Sequence, residues 1–318
     1  MAEQIVFGIR LNLRDLMVVL AGALALAACQ SRGAPPPIAP AATTVPFAFV
    51  HNEIIIDAAI GGSAPHRFML DCGVDPSAID QVLARDLGIE IDETEVGEAS
   101  GAGDGPGLAV MESSIPGLVI GTMAFDPIAA LAADLSPFGQ ALELPLAGIL
   151  GHSFLAHHVV RIDYPARQVT IALHREALAP PATRVTRRLV VPLRFNSDDD
   201  PTPVFDLDID GEIVTVTLDT GSSGGLELFP AAVERLGLED EKASGEVTEA
   251  LGARGLHKLT QGQLDKVGLG PFAISGLDTR FSERSAEGEI RDGNAGNELF
   301  QNFVLTLDYV NGEIVFEQ

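Results

Sequence analysis

Two short stretches of this chain carry the residues best suited to chemistry. "VTLDTGSSGG", Val216 to Gly225, places Asp219-Thr220-Gly221-Ser222 at the end of an apolar run. "RFMLDCGVDPS", Arg67 to Ser77, has the same form, with Asp71-Cys72-Gly73 and a cysteine where the other copy has Thr220. Taken singly, each reads as a turn in which Asp bonds to the backbone ahead and Gly lets the chain bend. As a pair they imply more. Two carboxyl groups held close together do not both ionise readily, so one keeps a proton while the other is charged. Such a pair suits a water molecule: the charged member takes its proton while the neutral member donates to a carbonyl oxygen. That is amide hydrolysis without a covalent intermediate.

A duplication of the chain brings the two stretches together. Phe154 to Ile171 ("FLAHHVVRIDYPARQVTI") aligns with Leu299 to Phe316 ("LFQNFVLTLDYVNGEIVF"), setting Asp163-Tyr164 against Asp308-Tyr309. Both copies read strand, turn, strand, and Asn311-Gly312 between apolar runs is a strong hairpin signal. Upstream, "EIIIDAAIGG" and "PVFDLDIDGE" read as matching strands. "QVLARDLGIE" and "AAVERLGLED" read as short amphipathic helices ending at Gly88 and Gly237. Matching segments in the same order predict two homologous lobes, residues 45–178 and 186–318, joined by a linker at 179–185. A two-fold axis between the lobes sets Asp71 facing Asp219.

Composition narrows the alternatives. The chain has 33 Gly, 20 Pro and no Trp, which suits many short strands and turns better than a helical bundle. Hydrophobic residues are 46% and charged residues 20%, enough apolar material for a sizeable core and against global disorder. The formal net charge of −25 repels a phosphate backbone, which argues against nucleic acid as a partner. The His residues show no metal-ligand spacing; His157 and His158 read as neighbours on a strand, pointing to opposite faces. No cofactor and no metal are expected.

The N-terminus reads as an address. Arg10 and Arg14 precede an apolar run, Leu16 to Ala28, too short for a permanent membrane helix. It ends in Leu26-Ala27-Ala28-Cys29, which resembles the lipobox of bacterial lipoproteins. That resemblance implies a signal peptide over 1–28, lipid on Cys29, and a Pro/Ala-rich tether over 29–44. Gln30, rather than Asp, after the cysteine points to an outer-membrane anchor facing the periplasm. More than one acyl chain makes such anchoring stable.

The motifs together resemble the retropepsin/pepsin superfamily of aspartic proteases. "LDTGSSG" resembles its active-site loop, Ile149-Leu150-Gly151 in "AGILGHSFL" the segment that braces the loop, and "FVLTLDYVNGEIVF" its closing hairpin. The similarity runs from about residue 50 to the end. It implies an all-β fold with few short helices, built from two barrel-like lobes related by a pseudo-two-fold axis. Asp71 and Asp219 become the catalytic dyad, supported by Cys72, Gly73, Thr220, Gly221 and Ser222. The implied enzyme is a monomeric aspartic endopeptidase of the bacterial cell envelope that binds an extended peptide or protein. Gly97–Gly107 and Thr248–Gly262 become flaps over the cleft; neither carries the Tyr found in pepsin flaps. Two departures stand out. Cys72 replaces a threonine whose hydroxyl grips the facing loop, and a thiol is a poorer hydrogen-bonding group. Asn294-Ala295 stand where Ile149-Leu150 stand in the first lobe, so a looser brace is expected behind Asp219. These departures motivate a second reading, a catalytically impaired relative that binds peptides or envelope proteins. Cys72 as a nucleophile is disfavoured, since no His is near it in sequence and an apolar strand end does not favour thiolate.

Overall fold

The computed structural model describes residues 40–103, 105–197, 200–283 and 291–318. The leader, Cys29 and residues 29–39 of the expected tether lie outside them. Among the described residues no helix is long and apolar enough to cross a membrane.

Period-two patterning makes the strands. In Glu53–Ile60 the residues Ile54, Ile56, Ala58 and Ile60 turn into the core while Asp57 faces water. Each lobe curls ten strands into one sheet, and the strand order of one lobe repeats in the other, element for element. The all-β expectation therefore holds, with helices of only a turn or two between strands.

In both lobes the strand that ends in the aspartate is held on two sides. His66–Leu70 pairs antiparallel with Glu53–Ile60, and Glu212–Leu218 pairs antiparallel with Asp200–Ile209. On the other side a three-residue strand runs parallel: Gly148–Leu150 beside His66–Leu70, and Gly293–Ala295 beside Glu212–Leu218.

A third sheet belongs to both lobes. Its order is Ala42–Pro46, Gln168–Ala172, Val159–Asp163, Val304–Asp308, Glu313–Glu317 and Arg188–Pro192. The two central strands are the duplicated pair, antiparallel, with Arg161 opposite Thr306. Those two residues are equivalent in the internal alignment, which is what a local two-fold axis through this point requires. The sheet also corrects the expected tether boundary. Thr43 and Val45 are buried, and Ala42–Pro46 pairs with Gln168–Ala172, so ordered structure begins inside the 29–44 segment.

One apolar core runs through both lobes. The ring of Phe316 lies 5.3 Å from Phe205, 6.1 Å from Phe300 and 6.4 Å from Phe303, centroid to centroid. A second apolar cluster in the first lobe gathers Ile55, Met69, Ala78, Leu135, Leu146 and Ile149. Asp80 caps the helix Gln81–Asp86, its carboxylate accepting from the amides of Val82 and Leu83. Gly237 ends Pro230–Leu236 in the left-handed conformation. His157 and His158 are not on a strand as expected. The short helix His152–Leu155 buries Phe154 and Leu155, and the chain turns through both histidines before Val159.

Phe316→Ala is expected to cost about 3–5 kcal/mol, because the surrounding rings cannot close the cavity. Urea unfolding monitored by circular dichroism checks this, and an unchanged midpoint contradicts the shared core.

Candidate active site

The two aspartates leave their strands in the same way. The N–H of Asp71 bonds to the Leu150 carbonyl at 3.1 Å, and that of Asp219 bonds to the Ala295 carbonyl at 2.9 Å. The Gly73 N–H donates to Asp71 Oδ1 at 2.8 Å, and the Gly221 N–H to Asp219 Oδ1 at 2.9 Å. The looser brace expected at Asn294-Ala295 does not occur. The brace is made by main chain, so the change of side chains leaves it intact.

The glycines explain how two acidic loops approach. A methyl group added at Gly221 would lie 2.0 Å from Asp71 Oδ2. One added at Gly73 would lie 2.8 Å from Asp219 Oδ1 and 3.2 Å from Asp71 Oδ1. Each glycine therefore underlies the carboxylate of the facing loop, and both carboxylates reach the same small volume. Asp71 is only 6% exposed, while Asp219 is half-buried. Burial, and then the charge on Asp219, hold the Asp71 carboxyl well above the ordinary carboxylate range. The direct interaction of the two side chains adds to that rise.

Cys72 does not break the link between the loops. The Cys72 N–H donates to Thr220 Oγ1 at 2.9 Å, and the Thr220 N–H reaches Cys72 Sγ at 3.4 Å. The thiol donates to the Leu218 carbonyl at 3.1 Å. Sulfur thus stands in as acceptor and donor with longer bonds. Burial first, and Asp219 next, push the thiol far above its ordinary range, so it is no thiolate nucleophile. Ser222 supports the loop through its backbone: its carbonyl accepts from the Asn297 N–H at 2.8 Å.

A third acid beside the dyad escaped the sequence reading. Glu53, 8% exposed, heads the strand Glu53–Ile60. Burial, with the charges of Asp71 and then Asp219, raises its carboxyl well above the usual range. Asn297 Nδ2 donates to Glu53 Oε2 at 3.3 Å and to the Thr220 carbonyl at 2.8 Å, while Tyr164 Oη donates to Asn297 Oδ1 at 2.7 Å. The chain Tyr164–Asn297–Glu53 ties the first lobe to the second lobe's loop. Its only trace in the sequence is a charged residue at the head of an apolar strand. Asn294, noted as a departure, also touches the dyad: its Nδ2 donates to Asp219 Oδ2 at 3.0 Å.

The expected flaps are hairpins joined at their tips. Ile91–Glu98 pairs with Ala109–Ile115, and Glu246–Gly252 pairs with Gly255–Leu264. Between the tips, Gly105 N–H donates to the Arg254 carbonyl at 2.7 Å and Arg254 N–H to the Ala102 carbonyl at 2.8 Å. Gly103 has φ +124°, and a Cβ there would lie 2.2 Å from the Arg254 carbonyl carbon. Leu108 and Val110 of the first hairpin pack on the cluster containing Met69 and Ile149. Among the described residues no three His, Cys, Asp or Glu side chains are grouped to hold a metal.

Residues 56–154 match the family model described as "Aspartyl protease", a span containing Asp71-Cys72-Gly73 and Ile149-Leu150-Gly151. Over that span, about a third of the chain, the first lobe is similar to aspartyl proteases. The chain is also similar to the crystal structure of a retropepsin-like aspartic protease from Rickettsia conorii, at 14% identity, over 42% of this chain and 96% of that one, with a TM-score of 0.34. No curated protein sequence matches it. Cys72 and Asn294 are where the two copies of the site differ, standing against Thr220 and Ile149.

Two outcomes follow from these contacts. Iodoacetamide at about pH 8 is expected to leave Cys72 unmodified in the native protein and to label it in guanidinium, as read by peptide mass mapping. Native labelling would contradict the buried thiol. The raised carboxyls of Asp71 and Glu53 also bind protons more tightly in the folded chain than in the unfolded one. Their stabilising contribution is complete below the unfolded carboxylate value, about 4, and is lost as pH rises through their folded values. Each group adds a fall of up to ~1.4 kcal/mol per pH unit over that window. Urea midpoints taken through the series should show a shallower fall in Glu53→Gln and in Asp71→Asn, and an identical slope in all three proteins contradicts the buried neutral acids.

Proposed function

We propose that the chain is an aspartic endopeptidase whose dyad is Asp71 and Asp219, one from each lobe. The observation that carries this reading is the crossing of the loops, with each carboxylate seated on the other loop's glycine. In the proposed reaction a water between the two carboxyls loses a proton to the Asp219 carboxylate as its oxygen bonds to the peptide carbon. The Asp71 carboxyl protonates the carbonyl oxygen, giving a neutral tetrahedral diol. Collapse of the diol returns a proton to Asp71, breaks the C–N bond, and passes the proton on Asp219 to the leaving nitrogen. Cys72 and Thr220 hold the loops in register while charge moves, and Glu53, neutral, adds no second negative charge beside the dyad.

The substrate in this reading is a peptide or unfolded protein segment bound as an extended strand between the lobes, partly through its main chain. The joined hairpin tips must part to admit it, which suits a segment longer than a few residues. A side chain placed near Met69, Ala78 and Ile149 meets an apolar wall. We further propose that a lipid on Cys29 tethers the protein to the cell envelope, on the side facing the periplasm, and that it acts as a monomer. The basic leader, its short apolar core and the small residues before Cys29 support that placement.

The test is digestion of a diverse peptide mixture by the full chain in detergent, from about pH 3 to 7, read by mass spectrometry. Cleavage at internal bonds is expected, falling as pH rises and Asp71 loses its proton. Asp71→Asn and Asp219→Asn should each lower kcat/KM by at least about 10³-fold. Cleavage that survives both substitutions removes the aspartic mechanism. No cleavage by any form replaces the endopeptidase with the second reading, a peptide-binding relative.

A further inference from the structure

The second lobe's dyad carboxylate has a side-chain partner for which the first lobe has no counterpart. Asn294 Nδ2 donates to Asp219 Oδ2 at 3.0 Å. In the duplicated fold Asn294 occupies the place of Ile149, which is 6% exposed and packs among apolar side chains. The neighbours of the two residues differ in kind as well. Ile149 stands across from Met69 and Ala78, whereas Asn294 stands across from Thr217 and Glu227. An apolar wall beside Asp71 is thus matched by a polar one beside Asp219.

The amide of Asn294 has a partner at each end. The Thr217 hydroxyl donates to Asn294 Oδ1 at 2.5 Å and lies 3.3 Å from the Gly293 carbonyl. With the oxygen end of the amide on Thr217, the NH₂ end faces Asp219. Arg291 reaches Thr217 Oγ1 from beyond, at 3.5 Å. A hydrogen bond donated to a carboxylate favours its charged form. We propose that Asn294, held between Thr217 and Asp219, is a positioning residue that makes Asp219 the ionised, proton-accepting member of the dyad and leaves Asp71 as the proton donor. The inference rests on the dyad reading above and adds to it a reason for the direction of proton flow.

Other ionisable groups surround Asp219, and none is changed by the substitutions below. Asp71 and Cys72 face it from the opposite loop, and Glu53 is coupled to it from the head of its strand. Arg280 lies over the same loop, its Nη1 3.1 Å from where a Cβ on Gly224 would sit.

An epoxide tests the assignment without turnover, because a carboxylate opens the ring to form an ester far faster than a neutral acid does. The full chain in detergent is incubated with 1,2-epoxy-3-phenoxypropane from about pH 3 to 8, and the ester is located by peptide mass mapping. The expected site is Asp219, not Asp71. In Asn294→Ile, which installs the first lobe's residue, the half-maximal pH for labelling rises by about one unit. The isosteric Asn294→Asp raises it further, and Thr217→Val raises it less. Ile149→Asn moves part of the label to Asp71. The acid limb of kcat/KM for peptide cleavage should move with the labelling. Label on Asp219 with these shifts, but no peptide cleaved, keeps the inference and refutes the endopeptidase. Label on Asp71 or on neither residue in the unaltered chain overturns the inference whether or not peptides are cut. An unmoved midpoint in Asn294 variants that keep the native circular dichroism also overturns it.

Discussion

Two acidic side chains share one site only where the backbone beneath each is bare. Asp71 lies on Gly221 and Asp219 lies close to Gly73, at distances that leave no room for a single carbon. Everything else serves to keep that crossing in place. The parallel strands Gly148–Leu150 and Gly293–Ala295 fix where each loop leaves its sheet. The Cys72–Thr220 link fixes the spacing between loops. The shared six-stranded sheet fixes the axis about which they face. Like charges so close repel strongly, and burial together with the charge on Asp219 holds the Asp71 carboxyl well above the ordinary carboxylate range.

Much of this was legible in the sequence because it is carried by local pattern and by repetition. Asp-X-Gly after an apolar run, the Asn311-Gly312 hairpin and the helix stop at Gly237 each depend on a few adjacent residues. Their recurrence in order gave the two-fold axis. The contacts that were not legible join residues distant along the chain. Glu53 meets Asn297, and Asn297 meets Tyr164, through a packing that only the folded second lobe supplies. Asn294 was visible as a mismatch in the internal alignment, and the mismatch was read as a defect. Only the fold shows that its amide lies between Thr217 and Asp219. The histidine pair failed differently: the strand pattern from Val159 was extended backward over a turn whose residues happen to be adjacent.

Cys72 illustrates why residue identity and residue role separate. The role at that position is to accept from one backbone N–H and donate to one carbonyl across the axis. A thiol meets both demands at sulfur distances. Its burial, which raises the energy of the thiolate, is also what keeps a reactive group inert beside two acids.

The lobes are fused in one chain, and fusion permits what a symmetric assembly of identical halves forbids. In a dimer of one short chain, any substitution beside one aspartate is copied beside the other, so a change that favours the donor also burdens the acceptor. Here Cys72 is answered by Thr220, Ile149 by Asn294, Met69 by Thr217 and Ala78 by Glu227. The two halves therefore differ in the contacts they give their aspartates. The shared sheet keeps the geometry two-fold while the chemistry on either side of the axis ceases to be.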